Sequence, residues 1–312
     1  MMHYLRLVRW PNLLITILTM FLVRYYLIRP SLLTEGIDLQ MPLSWFIALV
    51  GSVVLLAAGG YVINDYFDVR IDHVNNPERV ILGVNIPVKL AIPFHATLTF
   101  AGTALGFLVA VKVGNYKLVF VHLIIGLLLW LYSARYKRKP LWGNLIVAFA
   151  SAMVVLVVWL FEFFSMVSNV VVFTNQAELT WINHSILFLA GFAFVISLVR
   201  EIVKDVEDIE GDRRYGCQTL PVLLGERYVK WIAGGLMVVL MLALIFVQSH
   251  LFAIHFALTA IYFFIIQFLI LAFIHRLRKA KDAKDYGELS QLARIIMIAG
   301  VLSLQVYSMG QA

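Results

Sequence analysis

Nine apolar runs interrupt this sequence, at roughly 12–28, 43–63, 90–111, 117–132, 141–163, 184–203, 229–247, 251–275 and 291–309. Each approaches the length of about 20 residues that a helix needs to cross the hydrocarbon of a bilayer. The polar connections between the runs differ sharply in basic content. If the N-terminus lies on side one, that side receives every one of the 25 Lys and Arg residues except Arg24, Arg29, Lys112 and Lys117. Positive residues accumulate on cytoplasmic loops, so this split supports nine spans and a cytoplasmic N-terminus, and so a multi-pass protein of the inner cell membrane. The weakest of the nine is the fourth, whose 16 residues are short for a crossing and call for tilt or local thinning.

Composition agrees with that reading. The chain is 62% hydrophobic and only 14% charged, too little polar material to cover a soluble fold. The net charge of +7 then reports orientation rather than a nucleic-acid partner. Arg6 and Arg9 ahead of the run that begins at Leu13 imitate a signal peptide, but no small-residue cleavage pattern follows. That run ends instead at Arg24, Tyr25, Tyr26 and Arg29, an aromatic and basic edge suited to a spanning helix. Cys217 is the only cysteine, which excludes an internal disulfide, and no Cys/His cluster offers a zinc site. The expected architecture is all-α and integral to the membrane, one polytopic domain over residues 1–312 with no tandem repeat and no evident obligate protein partner.

The acidic residues are unevenly placed. Asp65, Asp68, Asp72 and Glu78 follow the second run, and Glu201, Asp205, Glu207, Asp208, Glu210, Asp212 and Glu226 border the sixth, so eleven of 18 lie in two segments. Both segments fall on the cytoplasmic side. For Glu78, Glu207, Glu210 and Glu226 a solvated loop is sufficient explanation. Asn64, Asp68 and Asp72 recur at i, i+4 and i+8, which on a helix places them within roughly 80° of one another. Asp208 and Asp212 repeat the i, i+4 spacing, with Asp205 on the same side. Like charges at that spacing destabilise an isolated helix, so two such stripes need a compensating cation. Oxygen-only ligands suit Mg²⁺, which binds through one or two carboxylates together with substrate phosphate oxygens. The alternatives for these residues are helix capping or an ion path.

The paired motifs Asn64-Asp65-x-x-Asp68-x-x-x-Asp72 and Asp208-x-x-x-Asp212 resemble the two aspartate-rich motifs of the UbiA superfamily of intramembrane prenyltransferases. The resemblance covers essentially the whole chain. It implies a nine-helix bundle open to lipid, with cytoplasmic cap loops over a site for Mg²⁺ and a polyprenyl diphosphate. Tyr132-Ser133-Ala134-Arg135-Tyr136-Lys137-Arg138 is similar to the family's Tyr and Lys motif, one residue longer than its usual spacing, and Arg9-Trp10-Pro11-Asn12 is similar to the start of its first span. Arg9, Arg79, Arg135, Lys137 and Arg138 are therefore candidate diphosphate ligands, with topology as the competing explanation for each. Arg200 to Asp212 and Thr219-Leu220-Pro221 look most like the digeranylgeranylglyceryl phosphate synthases, as do Asn64 to Asp72 and Asn76-Pro77-Glu78-Arg79. These enzymes attach a geranylgeranyl chain to a hydroxyl of geranylgeranylglyceryl phosphate. One departure stands out: where many relatives read Arg-Pro-Ile-Pro-Ser-Gly, this chain has Arg79-Val80-Ile81-Leu82-Gly83.

The resemblance implies that Asn64, Asp68 and Asp72 hold one Mg²⁺ and Asp208 and Asp212 a second, with Asp65 and Asp205 as supporting ligands or as the base. An allylic diphosphate ionises once its leaving group is neutralised, and the acceptor then attacks the cation. Tyr61, Tyr66, Phe67 and Tyr132 could face that cation, but aromatic residues at span ends are ordinarily packing or interface anchors. Ala57, Ala58, Gly59 and Gly60 read as close helix packing. Two rivals remain: an aromatic acceptor, such as a quinone precursor, and, in a different class, a cation transporter. A transporter requires ionisable residues near the bilayer midplane, and the runs show few beyond Glu162, expected at the outer edge of span five.

Overall fold

In the computed structural model, residues 2–34, 36–75, 77–166 and 176–310 are described. Among them, nine helices are long and apolar enough to cross a membrane. They are α1 (Trp10–Leu33), α2 (Leu43–Asn75), α3 (Ala91–Lys112), α4 (Val119–Ala134), α5 (Trp142–Met166), α6 (Gln176–Glu207), α7 (Glu226–Ala253), α8 (Ala257–Lys279) and α9 (Ala283–Met309). All nine predicted runs are recovered. The protein is an integral, multi-pass membrane protein.

The main departures lie at span ends. The sequence ends the second run at residue 63, whereas α2 continues to Asn75. Polar residues after Ile63 prolong the helix beyond hydrocarbon, and the first aspartate motif rides on that extension. The short fourth run gains a 3₁₀ turn, Tyr116–Leu118, ahead of α4. In α1 the helix widens into a π-helical stretch, Val23–Ile28.

Helix packing depends on small residues. α2 lies along α3, and α6 packs against both α5 and α9. A Cβ on Gly102 of α3 would stand 2.9 Å from the Ser52 carbonyl of α2, so glycine is what lets these helices approach. Gly59 faces Thr99 of α3, in keeping with the packing role expected for that stretch.

The spans hold more charge than the sequence reading anticipated, because Arg24, Arg200, Glu201 and Arg294 all lie within helices that cross. Arg24 and Glu162 answer the first part of the puzzle. Both are fully buried, and Arg24 Nε donates to Glu162 Oε1. Its other groups donate to the Met41 carbonyl and the Tyr25 hydroxyl, while its guanidinium lies 4.3 Å from the Phe46 ring centroid. Glu162 is thus a structural counter-ion tying α5 to α1. Removing one member leaves the other charge buried and alone, which costs about 3–5 kcal/mol. Glu162→Ala should therefore lower the thermal midpoint in detergent far more than the paired Arg24→Met/Glu162→Leu variant, measured side by side.

Candidate active site

The two aspartate segments meet where the C-terminal end of α2 lies beside that of α6. On α2, Asn64, Asp68 and Asp72 form the expected helical stripe, with Asn64 and Asp68 buried. The second segment is bent. α6 stops at Glu207, and Asp208 caps a separate short helix, Ile209–Arg214, while the Asp212 N–H still donates to the Asp208 carbonyl at 3.1 Å. The bend turns Asp208 and Asp212 into one chamber with Asp72 and Asp205, lined also by Asn75, Tyr132, Lys137, Glu201, Lys204 and Thr219.

Asn75 is the clasp between the segments, and the sequence reading missed it. Its Nδ2 donates to the Asp208 carbonyl at 3.1 Å, and its Oδ1 accepts from the Gly211 N–H at 2.8 Å. A Cβ on Gly211 would stand 2.4 Å from Asn75 Oδ1, so a larger residue there would push the clasp aside. Only the Gly within Glu-Gly-Asp hinted at a close approach.

The carboxylates in and beside the chamber are held individually; Asp68 stands behind Lys137 and does not line the chamber. Lys137 Nζ donates to Asp68 Oδ2. Asn144 Nδ2 donates to Asp205 Oδ2 at 2.8 Å, Thr219 Oγ1 donates to Asp212 Oδ2 at 3.1 Å, and Lys204 lies 3.5 Å from Asp208. Lys137 sits in a 3₁₀ turn, Tyr136–Arg138, pinned to the loop after the second motif where the Gln218 N–H donates to the Arg138 carbonyl. Burial alone would lower the Lys137 ammonium's pKa, but the Asp68 carboxylate beside it outweighs that and holds the ammonium firmly charged. Burial pushes Asp212 above the usual carboxylate range, opposed by Lys137 and the Thr219 hydroxyl.

The other candidates are placed differently. Arg9, in left-handed backbone at φ 53° immediately before Trp10 opens α1, donates to Asp65 Oδ1 at 2.7 Å. That pair takes Asp65 up in an ion pair. Arg135 and Arg138 are exposed and line neither the chamber nor the cavity beneath it. Arg79 closes the short helix Pro77–Arg79, and its side chain lies outside the described residues. Below the chamber, a mainly apolar cavity of about 240 Å³ runs down from Arg9, Asn64, Tyr61 and Tyr132 past Leu56 and Leu129 to Thr19, Val155 and His122. Tyr132 and Glu201 line both spaces and form the partition between them.

Comparison with known proteins supports the same assignment. Residues 31–295 match the UbiA prenyltransferase family. The chain belongs to the UbiA prenyltransferase family. It is therefore a prenyltransferase, and the transporter alternative falls away. Among UbiA relatives, digeranylgeranylglyceryl phosphate synthase of Methanococcoides burtonii is 30% identical over 262 residues, covering 83% of each chain. The enzyme of the same name from Methanobrevibacter smithii is 25% identical over 307 residues, covering 97% of this chain and 96% of that one. A solved structure from work on digeranylgeranylglyceryl phosphate synthase in membranes superposes with a TM-score of 0.64 at 24% identity, over 99% of this chain and 97% of the other. A UbiA homologue from Archaeoglobus fulgidus bound to DMAPP and Mg²⁺ gives a TM-score of 0.54 at 17% identity, over 96% and 98% of the two chains. At these identities the solved structures establish the fold.

The clasp makes a distinct prediction for this UbiA member. Gly211→Ala and Asn75→Ala should each reduce prenyl transfer by roughly 10–100-fold, the range typical of residues that orient ligating groups, with helical content unchanged by circular dichroism. The double variant should be no worse than the poorer single, because both act through one contact.

Proposed function

We propose that this prenyltransferase moves a geranylgeranyl group from its diphosphate to the free hydroxyl of geranylgeranylglyceryl phosphate, in ether-lipid synthesis at the cytoplasmic face. The observation that carries the reading is a polar chamber of clasped aspartates and lysines that shares Tyr132 and Glu201 with an adjoining apolar cavity. The names of the relatives support the substrates, and homologues bound to Mg²⁺ with DMAPP or GPP support the class of donor.

The donor set fits Mg²⁺. Asn64 Oδ1 is buried without any hydrogen-bond partner, an acceptor awaiting a cation or donor, and the surrounding ligands are oxygen atoms. Among the described residues, no group of three acidic, His or Cys side chains is placed to hold an ion unaided, so water and phosphate oxygens would have to complete the shell of any Mg²⁺ bound there. Asn64, Asp68 and Asp72 would hold one ion, Asp208 and Asp212 another. Bound there, Mg²⁺ supplies the positive charge that neutralises the departing diphosphate.

The chain's own residues do the rest. Lys137 and Lys204 meet the diphosphate oxygens and stabilise the negative charge that grows as the C1–O bond breaks. Apolar walls keep water from the allylic cation, and the acceptor hydroxyl oxygen forms the new bond to C1. Asp205, facing the chamber from α6, takes the hydroxyl proton. Asp65 is occupied by Arg9 and is the poorer base.

Asp68→Ala and Asp208→Ala should each lower turnover by at least about 100-fold, the scale of losing one electrostatic stabiliser of a transition state, while the protein remains folded in the bilayer. EDTA should abolish activity and added Mg²⁺ restore it. The decisive assay offers geranylgeranyl diphosphate with geranylgeranylglyceryl phosphate beside aromatic acids, with products read by mass. Full activity of both variants in EDTA would refute the metal assignment, and an exclusively prenylated aromatic product would refute the acceptor.

A further inference from the structure

The basic groups around the two spaces divide into two sets. Lys137 and Lys204 face the aspartates, whereas Arg9, Arg200 and Arg294 line the upper part of the apolar cavity with Tyr61 and Glu201. These three arginines come from separate elements: the turn before α1, the C-terminal third of α6 and the fourth turn of α9. Arg294 lies within electrostatic reach of Arg200 and Arg9, and of Tyr61 and Glu201, whose carboxylate is already paired with Arg200.

Their charges are not balanced within the protein. Arg9 is matched by Asp65 at 2.7 Å, with its guanidinium 5.0 Å from the Tyr61 ring centroid. Arg200 donates through Nη1 to Glu201 Oε1 at 2.5 Å, yet its Nε is buried with no partner. Arg294 makes no hydrogen bond or ion pair among the described residues, although it is half-buried in a spanning helix. An uncompensated guanidinium and an orphaned N–H in a low-dielectric wall are costly, and an intramembrane charge is a functional-site candidate by default. Both deficits are of one sign and would be met by an anion.

We propose that Arg200 and Arg294, supported by Arg9, form a second anion site that binds the phosphate monoester of the acceptor lipid. The inference rests on the acceptor reading given above. Guanidinium forks suit phosphate oxygens, and the apolar cavity beneath takes the acceptor's chain. The site lies on the cavity side of the partition, so a phosphate held there presents the nearby glycerol hydroxyl at Tyr132 and Glu201, towards the chamber that holds the donor's diphosphate. Two separate anion sites thereby keep donor and acceptor from exchanging places.

The test uses the full chain in nanodiscs, with Arg294→Gln, Arg200→Gln and the conservative Arg294→Lys. Donor and acceptor are varied independently at saturating Mg²⁺, and acceptor binding is measured without donor or Mg²⁺ by calorimetry, comparing geranylgeranylglyceryl phosphate with its dephosphorylated alcohol. The glutamine variants should raise the acceptor KM about tenfold or more with the donor KM unchanged, and should erase the wild-type preference for the phosphorylated ligand. Arg294→Lys should recover part of that preference. An increase in donor KM instead would assign these arginines to the diphosphate, and unchanged acceptor binding would remove their role; either overturns the proposal while the wild-type diether product leaves the acceptor reading standing. If wild type makes no product from geranylgeranylglyceryl phosphate, the acceptor reading fails, and this proposal fails with it.

Discussion

A charge placed among lipid-facing helices has no water to answer it, and that constraint organises this protein. Arg24 and Glu162 satisfy it outright: each is buried, each neutralises the other, and Arg24's spare donors reach a carbonyl and a tyrosine hydroxyl. Around the aspartate segments the matching is incomplete. Lys137 answers Asp68 and Lys204 approaches Asp208, but the chamber as a whole keeps more carboxylates than cations, and the cavity below keeps more guanidiniums than carboxylates. Imbalance of opposite sign on two sides of Tyr132 and Glu201 suits a cation in one space and an anion in the other.

Placing those charges depends on backbone contacts more than on charge itself. Asn75 joins the end of α2 to the turn after α6, and the absence of a side chain on Gly211 makes room for it. The second aspartate segment bends at Asp208 instead of continuing α6. That bend brings Asp205, Asp208 and Asp212 to one wall, opposite Asp72. The fixed geometry lets a reaction governed by leaving-group neutralisation proceed with little reorganisation.

Part of this was legible in the residues alone. Nine apolar runs and a one-sided basic distribution determined the helical membrane fold, because hydrocarbon admits few alternatives for a backbone with no water. The i, i+4, i+8 spacing of Asn64, Asp68 and Asp72 determined that they share a helix face, since the α-helix has one period. Aspartate pairs on the same side of the membrane pointed to a shared cation. Only tertiary structure decided which basic residues belong to which space: Lys137 turned inward while its neighbours Arg135 and Arg138 stayed in solvent, and Asp65 was taken by Arg9 from another element. In the sequence Arg294 was only one of the many basic residues counted to side one, and nothing singled out Asn75. The Asn75 clasp arises from contacts across more than a hundred residues of chain, which no local period or composition encodes, because those contacts exist only once the helices have packed.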